Sequence, residues 1–173
     1  LNAGRFLKEA GAQSVKLEGG HHISETIKRL VSCGIPVMGH IGLTPQSINQ
    51  IGGYKVQGKS KKQADRLIDE AIELENAGAY AIVLELIPTE VSKQITSKLK
   101  IPTIGIGAGI DCDGQIQVMH DILGLFEIFT PKHTKQYVNL AQQMRDGLKE
   151  YLSEVKDKTF PNNSHSFSIQ QDS

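Results

Sequence analysis

The sequence predicts an α/β protein in which parallel strands alternate with helices. The first observation is an internal repeat, because residues 10–18 and 77–85 share an Ala-Gly-Ala start and an apolar strand that ends in glutamate. The second observation is that each copy is followed, after a helix-like stretch, by Ile-Pro and a glycine-containing strand at 35–40 or 101–106. The same pair of strand–helix units therefore occurs twice, and strands that alternate with helices pair in parallel.

The stretches between these strands have the periodicity of helices. Ser24 is predicted to open the first helix, which ends before Gly34, and Thr89 is predicted to open the third. The second helix is predicted to stop at Gly78, because a left-handed C-cap needs a residue without Cβ. Its apolar stripe at helical spacing consists of Ala64, Leu67, Ile68, Ala71 and Ile72.

The last third of the chain predicts a fifth strand, a long helix and a tail. The strand is expected within residues 115–120, and the composition after Pro161 is that of a loose polar tail. We therefore interpret residues 1–160 as one catalytic domain and residues 161–173 as a C-terminal tail. The residues predicted to line one face of the long helix are Tyr137, Val138, Ala141, Met144, Leu148, Tyr151, Leu152 and Val155.

Charge and composition indicate a small-molecule partner. The 19 basic residues balance 19 acidic residues, which excludes a long-range field for nucleic acid or an anionic membrane surface. No apolar run reaches the length of a membrane span. Cys33 and Cys112 are far apart and lie in no metal-ligand pattern, which predicts reduced thiols in a cytoplasmic protein.

Charged residues interrupt two of the predicted strands. Strands covered on both faces should be apolar, and an ionised group buried there costs several kcal/mol unless it is paired or metal-bound. Because side chains alternate along a strand, Lys16 and Glu18 point away from Val15 and Leu17. We expect them on the face opposite to the helices, at the carboxyl ends of the strands. An ion pair that is only tolerated at a strand end is the alternative.

Glu85 and His40 extend this pattern to the neighbouring strands. Leu84 and Leu86 are predicted to face opposite to Glu85, which has no cationic neighbour in its own strand. His40 follows Gly39 at the end of its strand. A lone histidine beside apolar residues is often a satisfied core group, but the position at a strand end favours a functional role.

Residues 53–60 satisfy the Walker A pattern of nucleotide-binding proteins. In such a loop, backbone N–H groups surround phosphates and a lysine, here Lys59, reaches the outer phosphates. A P-loop follows a buried strand and opens a helix, whereas residues 44–50 are polar and contain a proline. A nucleotide-binding ATPase that uses Gly53–Ser60 is therefore an alternative function.

Residues 38–60 taken together, with residues 104–125, resemble the ketopantoate hydroxymethyltransferase family. The resemblance runs from about Asn2 to about Phe167. It implies a (β/α)8 TIM-type barrel, of which this chain would supply the later βα units and the C-terminal helix, since a complete barrel has about 250 residues. The missing initiator Met is in keeping with further sequence upstream of Leu1.

The resemblance also implies an activity and its partners. The family transfers a hydroxymethyl group from 5,10-methylenetetrahydrofolate to 3-methyl-2-oxobutanoate, which gives 2-dehydropantoate in pantothenate (coenzyme A) biosynthesis. It uses Mg²⁺ and is assembled as a homo-oligomer, usually a decamer. Small-molecule keto acid and folate are then the expected partners, without nucleic acid or membrane, in the cytoplasm.

Roles for individual residues are implied by the same resemblance. Glu85 is similar to the general base, Lys16 and His40 to substrate-binding residues, and Glu18 to a metal-site carboxylate that acts through water. The family's direct metal ligands are aspartates on earlier strands, outside this sequence. Residues 1–173 alone are therefore expected to be inactive and prone to aggregate, and a noncatalytic barrel fragment that serves folding or assembly is a third hypothesis.

Overall fold

A computed structural model of the chain describes residues 1–48 and 52–169. The strands are β1 (Val15–Glu18), β2 (Val37–Gly42), β3 (Ala81–Glu85), β4 (Thr103–Ile106) and β5 (Gly114–Gln115). The helices are α1 (Asn2–Ala10), α2 (Ser24–Ser32), α3 (Lys61–Asn76), α4 (Thr89–Lys98), α5 (Met119–Ile122) and α6 (Leu140–Lys156). Short 3₁₀ turns lie at His21–Ile23, Pro45–Ser47 and Asn163–His165.

The strands form one parallel sheet in the order β1-β2-β3-β4-β5, which confirms the α/β class. In its register Glu18 pairs with His40, and Gly42 pairs with Glu85. Residues in register project from the same face of a sheet, and so do alternate residues of one strand. Glu18, His40 and Glu85 therefore share one face, as predicted for the charged residues.

The opposite face of the sheet forms the hydrophobic core with the helices. Ile41, Ile82 and Leu84 are at most 1% exposed and lie in one cluster with Leu67 and Leu74 of α3. Burial of such side chains stabilises the fold by about 1.5–3 kcal/mol each relative to exposure. In β1 and β3, the apolar residues thus lie on the face of the sheet that forms the core, and the charged residues lie on the opposite face.

Helix α3 forms part of this core, and its predicted end is close to the one observed. The Ser60 hydroxyl accepts a hydrogen bond from Gln63 N–H at 3.3 Å, and Ser60 N–H donates to the Gln63 side chain at the same distance. Such a capping box satisfies backbone donors that have no partner within the helix. The helix ends at Asn76, and Gly78 follows with a φ of +97°.

The other two predicted helices begin at the residues that were predicted to open them. Ser24 and Thr89 are the first helical residues, and the N-cap positions belong to Ile23 and Pro88. A 3₁₀ turn precedes α2, and the Ser24 hydroxyl donates back to His21 O at 2.9 Å. Both hydroxyl residues therefore mark the first turn, but neither makes a capping hydrogen bond.

The chain divides into two compact units, residues 1–116 and residues 117–173.

The prediction of a fifth strand within residues 115–120 was largely wrong. The strand is Gly114–Gln115, and the last bond to its neighbour runs from Ile116 N–H to Gly105 O at 3.0 Å. Residues 119–122 form α5, so an alternation of polar and apolar residues without a strand partner did not give a strand.

The second unit contains the long predicted helix, with two corrections. α6 begins at Leu140, so Tyr137 and Val138 precede it, and the Asn139 side chain caps it by accepting Gln142 N–H at 3.0 Å. None of its residues is buried, and Leu148, which lies on the face that was expected to be covered, is 61% exposed. Of the predicted tail, residues 161–169 are all exposed, including the 3₁₀ turn Asn163–His165, and residues 170–173 lie outside the described ranges.

None of the helices within residues 1–48 and 52–169 combines the length and the apolar character that crossing a membrane requires.

Candidate active site

Three of the site residues predicted from the sequence converge on the ring of the fourth, His40, which is 1% exposed. Its Nδ1 atom lies 3.3 Å from Lys16 Nζ, and its Nε2 atom lies 3.2 Å from Glu85 Oε2. Lys16 Nζ also lies 3.3 Å from Glu18 Oε1. Parallel pairing brings the carboxyl ends of β1, β2 and β3 to one edge, and this is why residues 69 positions apart in the chain can share a site.

The contacts of His40 bear on which ring nitrogen carries the hydrogen. Lys16 Nζ, which only donates hydrogen bonds, lies 3.3 Å from Nδ1 and so is closer to it than Glu18 Oε1 at 3.5 Å; we therefore let Nδ1 accept from Lys16 and assign the hydrogen to Nε2. Nε2 is buried and has no hydrogen-bond partner among the described residues. Glu85 Oε2 is near enough at 3.2 Å, but the two groups are poorly aligned. The Nε2–H group is therefore a buried donor that a ligand oxygen could satisfy.

Glu18 is held from two sides. Its side chain is 8% exposed; Oε1 accepts from Lys16, and Oε2 accepts from Gln46 N–H at 3.1 Å. Gln46 was missed by the sequence analysis, because a backbone donor leaves no signature in the side-chain pattern. Pro45 offered the only signal, since a proline at the start of a helical turn precedes N–H groups that lack partners within the turn.

Glu85 ends β3 with a side chain that is 16% exposed. Leu86, which was predicted to face opposite to Glu85 within the strand, instead lies beyond the strand with a φ of +48°. This correction matters for the site, because a left-handed residue turns the chain sharply at the point where the carboxylate must stay in place.

The site carries a net negative charge when its carboxylates are ionised. One ammonium, of Lys16, stands against the carboxylates of Glu18 and Glu85, and the Lys16 side chain is 45% exposed to screening solvent. An anionic ligand would add a further negative charge. Its binding here calls for an additional cation, because like charges at this separation disfavour one another.

The described residues do not fit direct coordination of a metal ion. They contain no group of three His, Cys, Asp or Glu side chains placed to hold one. Mg²⁺ retains several waters and needs only one or two carboxylates, but both oxygens of Glu18 already accept hydrogen bonds, from Lys16 and from Gln46 N–H. Residues 1–48 and 52–169 therefore provide no direct ligand set for the ion.

A cavity of about 320 Å³ lies on the helix side of the strand ends, and its wall includes Ile41 and Leu67 from the core face. Its buried carboxylate, Glu70, was not singled out from the sequence. Arg66 Nε donates to Glu70 Oε1 at 2.9 Å, so the carboxylate is paired along its own helix. The cluster around His40 lies on the other face of the sheet, and we place the chemistry there.

The Walker-like segment lacks half of the context that a P-loop requires. Helix α3 does follow Ser60, but β2 ends at Gly42 and the described part of residues 43–60 contains no strand. The Ser60 hydroxyl caps α3 by accepting Gln63 N–H. Nothing in the described residues supports the nucleotide-binding alternative.

Comparison with known proteins points to one enzyme family. A sequence model of the ketopantoate hydroxymethyltransferase family matches residues 1–163. The 3-methyl-2-oxobutanoate hydroxymethyltransferase of Carboxydothermus hydrogenoformans is 55% identical over 97% of this chain and 61% of the relative. The enzymes of the same name from Dehalococcoides mccartyi and Syntrophotalea carbinolica are 56% and 57% identical, over 98% and 97% of this chain.

The chain spans about three fifths of the length of these curated relatives, from 61% to 63%. Identity of this extent over nearly the whole chain shows that the chain is related to these enzymes. Their activity, however, is a property of the complete relatives.

Proposed function

The chain belongs to the ketopantoate hydroxymethyltransferase family, and from that premise we propose that the protein transfers a hydroxymethyl group from 5,10-methylenetetrahydrofolate to 3-methyl-2-oxobutanoate. The product would be 2-dehydropantoate, a precursor in pantothenate biosynthesis. The observation that carries the proposal is the convergence of Lys16, Glu18 and Glu85 on His40 at one edge of the sheet.

The reaction must begin at a carbon atom that is not acidic in water. The C3–H bond of the keto acid breaks, its proton moves to a base, and its electron pair forms the enolate. Water adds to the methylene carbon of the folate and both of its C–N bonds break, which gives formaldehyde and tetrahydrofolate with the two hydrogens of the water on its nitrogens. C3 of the enolate then bonds to the formaldehyde carbon, and the formaldehyde oxygen takes up the proton that the base removed and becomes the hydroxyl group. We assign the proton transfer to Glu85, whose carboxylate is mostly buried and has no lysine or arginine within salt-bridge distance in the described residues.

The remaining side chains bind and orient the keto acid. The Lys16 ammonium would balance negative charge on the substrate, and the unpartnered His40 Nε2–H would donate to one of its oxygens. A donor that is already fixed and desolvated stabilises a developing oxyanion without reorganisation. This assignment explains why a buried polar atom is left without a good partner in the protein.

The charge of the site supports a divalent cation in the proposal. A keto-acid anion beside Glu18 and Glu85 would leave more than one negative charge uncompensated by Lys16. Mg²⁺, when bound, would supply Lewis acidity toward the oxygens of the keto acid. We place Glu18 against a water of that ion, because the described residues provide no direct ligand set.

The proposal also covers the complete fold, the assembly and the compartment of the protein. The open parallel sheet has the strand order that a (β/α)8 barrel uses, and we propose that it forms part of one. We also propose a homo-oligomer in the cytoplasm. The free thiol of the exposed Cys33 supports a reducing compartment.

Exchange of the C3 hydrogen with deuterated solvent, measured without the folate, tests the proposal. Glu85→Gln keeps the size and much of the hydrogen bonding of the side chain but removes its basicity. We expect the exchange rate of the full-length protein to fall by a factor of about 10² or more, while binding of the keto acid is largely retained.

Glu90→Gln is the matched control, since Glu90 is an exposed carboxylate in the first turn of α4. It should leave exchange unchanged. Unchanged exchange in Glu85→Gln would assign the base to another residue, and the absence of any product from the folate and keto acid with every divalent metal would refute the function.

A further inference from the structure

The backbone of Glu85 touches β2 more closely than a residue with a side chain would allow. The Glu85 carbonyl oxygen accepts a hydrogen bond from Leu43 N–H at 2.8 Å. A Cβ atom built on Gly42 would lie 2.1 Å from that same oxygen, a distance that real Cβ atoms do not show. Gly42 also has a φ of +93°. The approach of β2 to the end of β3 therefore requires glycine at position 42.

The residue after Glu85 is held in an unusual conformation. Leu86 has a φ of +48°, in the left-handed region that costs about 1 kcal/mol or more for a residue with a branched side chain. Its N–H donates to Ile106 O at 2.9 Å, and its carbonyl accepts from Gln57 N–H at 2.8 Å. Strain of this kind persists where surrounding contacts determine the backbone, and such positions cluster at functional sites.

We propose that Gly42 and Leu86 are positioning residues that fix the Glu85 carboxylate for proton abstraction, an inference that rests on the function proposed above. Gly42 sets how closely the Glu85 peptide approaches β2, which carries His40. Leu86 turns the chain away directly after Glu85, so the strand ends where the carboxylate meets His40 Nε2 at 3.2 Å. Hydrogen bonds with the residue that follows β2, with β4 and with the segment before α3 hold this one turn.

A displaced base should lower the rate of proton transfer more than the binding of substrate. The Glu85 side chain follows its backbone, and a misplacement of about 1 Å can cost about a hundredfold in rate. Contacts of Lys16 and His40 with the keto acid would be retained, because neither residue lies in this turn. A merely structural role would instead lower the stability and leave the turnover of the folded enzyme unchanged.

The chain provides a matched control for the glycine. Gly34 also has a positive φ, +77°, but a Cβ built on it meets nothing within 4 Å. Gly34→Ala therefore introduces the same kind of backbone strain as Gly42→Ala without the collision with Glu85 O. The difference between the two variants separates the collisions of the Gly42 Cβ, with Glu85 O and with the Ile87 side chain at 2.8 Å, from the cost of the left-handed conformation.

The experiment compares these variants in the full-length protein by C3 hydrogen–deuterium exchange of 3-methyl-2-oxobutanoate. We expect Gly42→Ala to lower kcat by about a hundredfold with KM changed by less than about threefold, and Gly34→Ala to leave both unchanged. Leu86→Gly keeps the left-handed turn without strain, whereas Leu86→Val disfavours it. Leu86→Val should lose at least about ten times more kcat than Leu86→Gly.

Backbone amide exchange of Leu43 gives a readout that does not depend on turnover. Its N–H should lose protection in Gly42→Ala and keep it in Gly34→Ala, because only the first variant separates it from Glu85 O. Equal kcat in Gly42→Ala and Gly34→Ala, or equal kcat in the two Leu86 variants, would overturn the proposal. If Gly42→Ala does not fold, the comparison of kcat between Leu86→Val and Leu86→Gly tests the proposal. A wild-type protein with no substrate exchange would refute the function, while the Leu43 amide would still report on the contact.

Discussion

Lys16 is the most solvent-exposed of the four charged or titratable residues that form the site, with a side chain that is 45% exposed. Its contacts with Glu18 and His40 are each 3.3 Å long, and a half-exposed ion pair of this kind adds at most about 1 kcal/mol to stability. The ammonium is therefore better explained by binding than by folding. It can turn toward an anionic ligand with little loss of stability.

Lys16→Met should weaken binding of the keto acid, because the methionine keeps the apolar stem of the side chain and deletes its charge. A hydrogen bond to a charged group contributes about 1.5–3 kcal/mol, so the dissociation constant should rise by about tenfold to a hundredfold. Calorimetric titration with 3-methyl-2-oxobutanoate and with the uncharged 3-methyl-2-butanone separates charge from packing. Lys61→Met, at a side chain that is 87% exposed, is the control. Equal losses for both ligands would indicate a packing role.

The side chains of the site could be predicted from the sequence, but its backbone contacts could not. The sequence indicates Lys16, Glu18 and Glu85, because a charge in an apolar strand is costly unless it is paired or binds a metal. Gln46 contributes only a backbone N–H, and Gly42 contributes the absence of a side chain. Such contributions depend on which strands become neighbours, and the sequence gives this information only indirectly.

At the scale of the elements, a single threonine joins β4 to the segment that leads into β5. Thr103 is fully buried, and its N–H and hydroxyl both donate to Asp113 Oδ2, at 2.8 and 3.0 Å. These two bonds, of which the backbone N–H contributes more, hold the pKa of the Asp113 carboxyl below its ordinary value of 3.8. The short strand β5 is thus stabilised by a side chain that precedes it.

The lowered pKa of Asp113 predicts how stability depends on pH. A carboxyl whose pKa is depressed by folding contributes stability that is complete above its ordinary pKa of 3.8 and is lost as the pH falls through the lower pKa of the folded state. Asp113→Asn should therefore reduce the free energy of unfolding by about 1 kcal/mol or less at neutral pH, since the carboxylate is largely exposed. The difference from wild type should shrink as the pH drops below about 4.

Urea unfolding at a series of pH values measures this difference. Asp69→Asn, at an exposed position of α3, should show no comparable change with pH. A deficit in Asp113→Asn that stays constant down to the acid limit of folding would show that geometry, and not charge, stabilises the link to Thr103.

The sequence predicted the existence of the elements better than their limits. β1 to β4 and α3 follow from strong periodicity, and the end of α3 from the stop signal at Gly78. Ser24 and Thr89 open their helices as predicted but do not cap them, because a hydroxyl residue can either cap a helix or occupy its first turn. The error at β5 has a different cause, since a strand needs a partner as well as an alternating pattern.

At the scale of the whole molecule, burial is distributed very unevenly. The hydrophobic core draws all of its members from residues 15–112, with Ile82, Leu84 and Leu74 completely buried. α6 buries none of its residues and presents exposed apolar side chains, which are Met144, Leu148, Tyr151, Leu152 and Val155. Its residues have the pattern of an amphipathic helix, so the sequence alone predicted a covered face, whereas the apolar side chains of this face are exposed.

This difference predicts unequal local stability, which hydrogen exchange of backbone amides measures directly. The opening free energy of a segment depends on the apolar contacts that opening breaks, so β3 should exchange only on global unfolding, whereas α6 should open by itself. We expect amides in the middle of α6 to exchange at least about a hundredfold faster than those of Ile82 and Leu84 at low protein concentration. Protection in α6 that equals the protection in β3, or that rises with protein concentration, would contradict this expectation. It would also show that the apolar side chains of α6 are covered in solution by a surface that the chain gains on association.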